Sequence, residues 1–175
     1  MEIRYLNAND SLSDISSIYE RSWKYAYQGI IPDTYLDSIP EGSWAGGIHK
    51  EGMHTLVLTH NGQLAGTASF CRSRWTELSG FGEIVSIYLL PEYIGKGYGK
   101  HLLNRCIREL NRLGFTELVL WVLEENQRAR IFYEREGFFC TDAYRLDTFG
   151  GKELAEVLYS MRCDTPPAAI PGGTS

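Results

Sequence analysis

Long apolar runs are missing from this 175-residue chain: the longest, Leu118 to Leu123, is six residues, against the roughly 20 that span a bilayer as a helix. No membrane-spanning helix is expected. Cysteine is scarce, and the four present, Cys71, Cys106, Cys140 and Cys163, stand far apart. They form no Cys-x-x-Cys pair and have no histidine spacing of a zinc site. Reduced, mostly buried thiols and no metal are expected. Basic residues are outnumbered 17 to 22, for a formal charge of −5. That balance lacks the basic stripe of a general nucleic-acid binder and favours a cationic partner. The opening Met1-Glu2-Ile3-Arg4-Tyr5-Leu6 has no basic segment leading into an apolar one, so no secretion leader is read and a cytoplasmic location is expected.

What remains is the composition of an ordinary globular domain, 43% hydrophobic and 22% charged, at a length that buries roughly 70% of the unfolded surface without disulfide or metal staples. One domain is expected over residues 1–163. Residues 164–175, rich in proline, glycine and alanine, are expected to be a flexible tail.

Glu2 to Leu6 predicts a strand. Ser11 then caps a helix in which Leu12, Ile15, Ile18, Tyr19 and Trp23 recur at helical spacing. Pro32 to Ile39 predicts a second, short helix. Thr55 to Thr59 and Leu64 to Cys71 alternate as strands around Asn61-Gly62, a hairpin signal. Glu83 to Leu90 is a strand ending at Pro91, followed by glycines and a helix with the stripe Leu102, Leu103, Cys106, Ile107, Leu110 and Leu113, stopped by Gly114. Glu117 to Val122 is apolar on both faces, as in a covered strand. Asn126 to Glu136 is a helix, and strands near Phe138 to Leu146 and Glu153 to Met161 close the chain. The order β-α-α-β-β-β-α-β-α-β-β implies an α/β (α+β) fold, a mixed sheet of about seven strands flanked by helices.

The segment with most chemical content is Ile87-Tyr88-Leu89-Leu90-Pro91-Glu92-Tyr93-Ile94-Gly95-Lys96-Gly97-Tyr98-Gly99-Lys100. Three glycines let successive N–H groups approach an anion at a helix start that carries about half a positive charge. Lys96 and Lys100 add full charges. The dinucleotide pattern G-x-G-x-x-G fails, because Lys100 and Leu102 stand where its last glycine belongs. A P-loop fails as well: each Gly-Lys is followed by Gly97, His101 or Glu153 rather than Ser or Thr.

Taken with the later run Asn126-x-x-Ala129-x-x-Phe132-Tyr133-x-x-x-Gly137-Phe138, this glycine turn resembles the GNAT family of acetyl-CoA-dependent N-acetyltransferases over about 80 residues. Ile94 departs from the family, which usually carries Gln or Arg there; the backbone donors do not depend on that side chain. The resemblance implies acetyl-CoA as cosubstrate, with Ile87, Tyr88 and Leu89 along the pantetheine arm and Gly95, Lys96, Gly97, Tyr98, Gly99 and Lys100 at the pyrophosphate. It also implies Asn126 near the pantetheine and Tyr133 beside the thioester sulfur. Asn126 is equally a good N-cap, Tyr133 equally a packing residue, and Glu83 either a solvated strand-edge carboxylate or the catalytic base. Homodimers are common in the family.

A lysine-like amine at pKa ~10.4 costs about 4.6 kcal/mol to deprotonate at pH 7. A carboxylate near ~4.3 is a poor direct match, so Glu83 would act from a buried site or through water. Tyr133 would return a proton to the thiolate, and a backbone N–H near Leu89 would meet the oxyanion. The aromatic stretch Ser22 to Asp33 is the candidate acceptor wall. The expected acceptor is a small-molecule amine; a protein or peptide N-terminus or lysine is the alternative, and a non-catalytic acyl-CoA sensor the third. Trp121 stands where N-terminal acetylating relatives carry a glutamate, which lowers the peptide option.

Overall fold

The computed structural model describes residues 1–48 and 50–163; the expected tail, 164–175, lies outside the described residues. β1 (Glu2–Tyr5) leads into α1 (Leu12–Tyr27) and α2 (Asp33–Ser38), and β2 (His54–His60) turns into β3 (Gln63–Arg72). β4 (Gly82–Leu89) precedes α3 (Tyr98–Arg112), and β5 (Glu117–Leu123) precedes α4 (Gln127–Arg135). A long hairpin, β6 (Phe139–Phe149) and β7 (Lys152–Arg162), ends the fold. The expected order is found, with short 3₁₀ turns added at 45–47, 76–78 and 91–93. No helix among the described residues is long and apolar enough to cross a membrane.

Seven strands form one sheet in the order β1-β2-β3-β4-β5-β7-β6. β4 and β5 run parallel, and every other neighbouring pair is antiparallel. The β2–β3 hairpin turns at Asn61 and Gly62 with φ of 52° and 78°, the two positive dihedrals a tight twist-matched turn requires. Ser11 caps α1 by accepting the Asp14 N–H at 3.2 Å.

The apolar stripe of α3 fills the core on one sheet face, where Leu102, Leu103, Cys106 and Leu110 are all fully buried against Ile84, Leu118 and Leu120. Burying each leucine contributes about 1.5–3 kcal/mol. Leu113 falls outside that stripe at 51% exposure, because the helix ends at Arg112 and Leu113 is its cap. α1 covers the opposite face through Ile15 and Tyr19, which cluster with Val57 of β2. α2 packs with β7 through Leu36 and Leu154. The cysteines are free; Cys71 and Cys106 are buried, Cys163 is half-buried and Cys140 is exposed.

Candidate active site

The parallel pair β4–β5 holds together only at its start, through Gly82 opposite Leu118 and Glu83 opposite Val119. Beyond these residues the strands part into a wedge at the centre of the sheet. A bulge on β4 accompanies the parting: Phe70 pairs with Ile84 but Ser69 pairs with Ser86, so Val85 is extra. Bulges bend a strand and increase its twist. The Leu90 N–H reaches Ala65 O at 2.9 Å, and alternation along the strand then turns the peptide groups of Leu89 and Ile87 toward the wedge. Tyr88 points its backbone at β3, opposite Thr67. Ser22 Oγ donates to Leu89 O at 2.6 Å. The strand edge facing the wedge can pair with an extended amide-bearing ligand.

Past the wedge the chain makes the glycine turn. Gly95 and Gly97 have φ of 78° and 85°, a region closed to most side chains at low cost. Gly97 is the N-cap of α3 and supplies no capping side chain, so the leading N–H groups of the helix are presented outward. Tyr98 and Lys100 point elsewhere. The Tyr98 hydroxyl pairs with His60 Nδ1 at 3.0 Å, and Lys100 Nζ pairs with Glu136 at 3.1 Å. Lys96 is exposed.

Across the wedge, Asn126 caps α4 by accepting the Ala129 N–H at 3.2 Å. The cap fixes the helix that carries Tyr133, whose ring packs on Phe132 and Phe138 at centroid distances of 5.0 and 5.9 Å. Burial, with the nearby Tyr88 phenol and Cys106 thiol, pushes the Tyr133 phenol well above its ordinary range. It therefore stays protonated at neutral pH. Tyr88 accepts a hydrogen bond from Trp23 Nε1 at 2.9 Å and lies against the Tyr27 hydroxyl, whose own pKa is raised by burial and by the fields of Tyr133 and Glu156. Phenols from α1, β4 and α4 thus converge, including two, Tyr27 and Trp23's partner Tyr88, that join the acceptor-wall stretch to the wedge.

Glu83 sits at the apex of the wedge, 1% exposed. Its carboxylate accepts the Arg74 backbone N–H at 2.9 Å and the Arg74 guanidinium, with Nη2 at 2.6 Å. Nε contacts both oxygens at 3.2 Å, so each oxygen already has a donor. A second charged pair stands nearby: Arg145 on β6 bonds Glu156 on β7, and Glu156 contributes to the field at Arg74. The Arg145 guanidinium lies over Trp75 and Trp121 at 4.2 and 4.8 Å. Arg74, Trp75, Arg145 and Glu156 were not legible as site residues, since they come from the β3–β4 connection, β6 and β7, and no spacing links these three segments.

The β6–β7 turn reaches α1 and α2. Lys152 Nζ donates to Ile30 O at 2.8 Å, and Phe149 packs between Trp23 and Tyr35 at 6.1 and 6.4 Å. The α1–α2 connection and the β6–β7 hairpin therefore meet on the side of the sheet that carries Glu83 and Tyr88.

Residues 12–138 match the acetyltransferase (GNAT) family. The chain is 31% identical over 175 residues to the L-amino acid N-acyltransferase MnaT of Escherichia coli, covering 97% of this chain and 99% of that one. It is 38% identical over 106 residues to the ribosomal protein bS18 alanine N-acetyltransferase of Haemophilus influenzae, covering 59% and 68%. The PaiA N-acetyltransferase of Thermoplasma acidophilum, solved in complex with coenzyme A, superposes with a TM-score of 0.70 at 23% identity, over 92% of this chain and 98% of that one. A split parallel pair, a glycine turn opening a helix, and a full-length match to an acyltransferase agree: the chain belongs to the GNAT family and is an acetyl-CoA-dependent N-acetyltransferase.

Proposed function

We propose that the protein acetylates the primary amine of a small molecule, by direct attack on acetyl-CoA through a tetrahedral intermediate. The observation that carries this reading is the contact between the β6–β7 turn and the α1–α2 connection, through Lys152 with Ile30 and Phe149 with Trp23. An extended peptide needs an open path across that side of the sheet, and the contact obstructs it. The name of the E. coli relative, an L-amino acid N-acyltransferase, points the same way; that of the bS18 alanine enzyme supports the peptide alternative over a shorter match.

In this mechanism the pantetheine amides pair with the Ile87 and Leu89 edge of β4, beside the Tyr88 side chain and Asn126. The pyrophosphate lies on the N–H groups of Gly95 to Lys100, with Lys96 adding charge. The leading donor for the oxyanion is the Leu89 N–H. Tyr133, protonated at neutral pH, gives its proton to the departing thiolate. Glu83 serves as base through a water, because Arg74 occupies both of its oxygens, and the buried carboxylate also favours an ammonium approaching the wedge. Four free cysteines, one of them exposed, suit a reducing, cytoplasmic setting.

The test is a screen of primary amines and short peptides, following release of the coenzyme A thiol, with wild type and Tyr133→Phe in parallel. Turnover of small amines that collapses in Tyr133→Phe is expected. Turnover of peptides alone would contradict the small-molecule reading.

A further inference from the structure

Only three buried side-chain polar atoms among the described residues lack a hydrogen-bond partner: Trp75 Nε1, Trp121 Nε1 and Ser86 Oγ. All three belong to the region of Glu83: Ser86 lies on β4, Trp121 on β5 and Trp75 directly after Arg74. The two indole rings stand 5.7 Å apart. An indole N–H can only donate, and leaving such a donor buried and unmet is costly enough that native structures rarely do so. Two of them side by side give this wall a surplus of donors over acceptors.

The charged groups at this wall have the same polarity of unmet need. Arg145 spends Nε, at 2.5 Å, and Nη2 on Glu156, while the two indole faces hold its guanidinium plane. Arg74 spends Nε and Nη2 on Glu83. In both, Nη1 has no protein partner among the described residues, and both side chains keep solvent access, 44% for Arg74 and 29% for Arg145. The carboxylates are engaged, and the spare hydrogen-bonding capacity is donor capacity. A guanidinium fixed on one edge by a carboxylate and on its face by aromatic rings presents its remaining edge in a set direction, the arrangement that suits an oxyanion.

We infer that this wall, with Arg145 at its centre and Arg74 beside it, binds a carboxylate or similar oxyanion of the acceptor. Arg145 is then a specificity-determining residue, and the acceptor is zwitterionic, with its amine at the wedge and its anionic group on the wall. This rests on the small-amine reading above and narrows it. Trp121 contributes the ring face that orients Arg145. Glu156 keeps the guanidinium in place, and its proximity to both Tyr27 and Arg74 links the wall to the phenols around Tyr133.

The experiment pairs each of a set of L-amino acids with the amine of the same skeleton lacking the carboxylate, and measures kcat/KM by thiol release from acetyl-CoA. Wild type is expected to favour the carboxylate-bearing member by at least about 10-fold, as a charge-assisted contact of this kind supplies. Arg145→Met lowers that ratio by about 10- to 100-fold, through KM rather than kcat. Trp121→Phe, which shrinks the ring face under the Arg145 guanidinium, lowers it less. Thermal unfolding and acetyl-CoA affinity verify that each variant is folded; if Arg145→Met is not, Trp121→Phe and the wild-type ratio decide. A ratio unchanged in both variants, or a wild-type preference for the carboxylate-free amines, overturns the inference and leaves acetyl transfer to small amines standing. Turnover of neither set by protein that binds acetyl-CoA overturns both.

Discussion

Lys152 Nζ donates to the Ile30 carbonyl at 2.8 Å, tying the β6–β7 turn to the connection between α1 and α2. Phe149, three residues earlier, lies between Trp23 and Tyr35. Together they bridge the proposed acceptor side of the sheet. Lys152→Met combined with Phe149→Ala is expected to loosen this bridge, raise KM for the small amine by about 10-fold, a change of 1.4 kcal/mol, and admit peptides that wild type excludes. Steady-state kinetics on a matched amine and peptide pair check it. Unchanged KM and continued exclusion of peptides would show that the bridge does not limit access.

Tyr133 is held by Phe132 and Phe138, and burial keeps its phenol protonated. Tyr133→Phe preserves that packing and removes the proton, so kcat is expected to fall by about 100-fold or more, the usual range for a lost general acid. Acetyl-CoA affinity should stay within about threefold of wild type, a change under 1 kcal/mol. Isothermal titration alongside turnover separates the two, and an equal loss in affinity would reassign Tyr133 to cofactor packing.

Gly97 holds φ at 85° at the N-cap of α3, with open space where a Cβ would stand. Gly97→Ala therefore introduces backbone strain of about 1–2 kcal/mol without a clash. The expected result is acetyl-CoA binding weakened by about 10-fold with little change in kcat. Binding unaltered by the substitution would mean that the turn tolerates another geometry and is not the phosphate cradle.

Two buried thiols set an alkaline limit on stability. Burial pushes Cys71 up to about 11 and Cys106 up to about 12. Both groups are neutral when protonated, so between their unfolded values near ~8.5 and the raised folded values the folded chain binds more protons than the unfolded one. Stability then falls as pH rises through that window and is not lost below it. Denaturant melts from pH 8 to 11 are expected to show falling midpoints from about pH 8.5 upward, a decline that Cys71→Ala and Cys106→Ala reduce. Below the window, exposed Cys140 should react with a thiol reagent well before either buried cysteine.

The half of the site proposed for the cofactor was legible as local structure because its signals are local. Gly95 and Gly97 announce a left-handed turn before an amphipathic helix, and Asn126, seven residues before Tyr133, announces both a cap and the helix face that follows. Each is decided by backbone chemistry within one turn of chain. The proposed acceptor wall is a product of strand pairing. Arg145 meets Glu156 because β6 and β7 pair in that register, and Trp75 meets Trp121 because the segment after β3 folds back beside β5. Sequence pattern placed β6 at 138–146, whereas the strand continues to Phe149, and that extension is what carries Phe149 and Lys152 onto α1 and α2. Glu83 was legible as a strand-start carboxylate, but its partner Arg74 depends on the turn between β3 and β4.

Where the acetyl group goes is the most direct measurement. Purified protein, isotopically labelled acetyl-CoA and a mixed pool of small primary amines and N-terminal peptides are incubated together, and mass spectrometry locates the label. The expected result is label on the amine nitrogen of a small molecule, abolished in Tyr133→Phe. Label confined to peptides, or a protein that binds acetyl-CoA and transfers its acetyl group to nothing in the pool, would contradict the account.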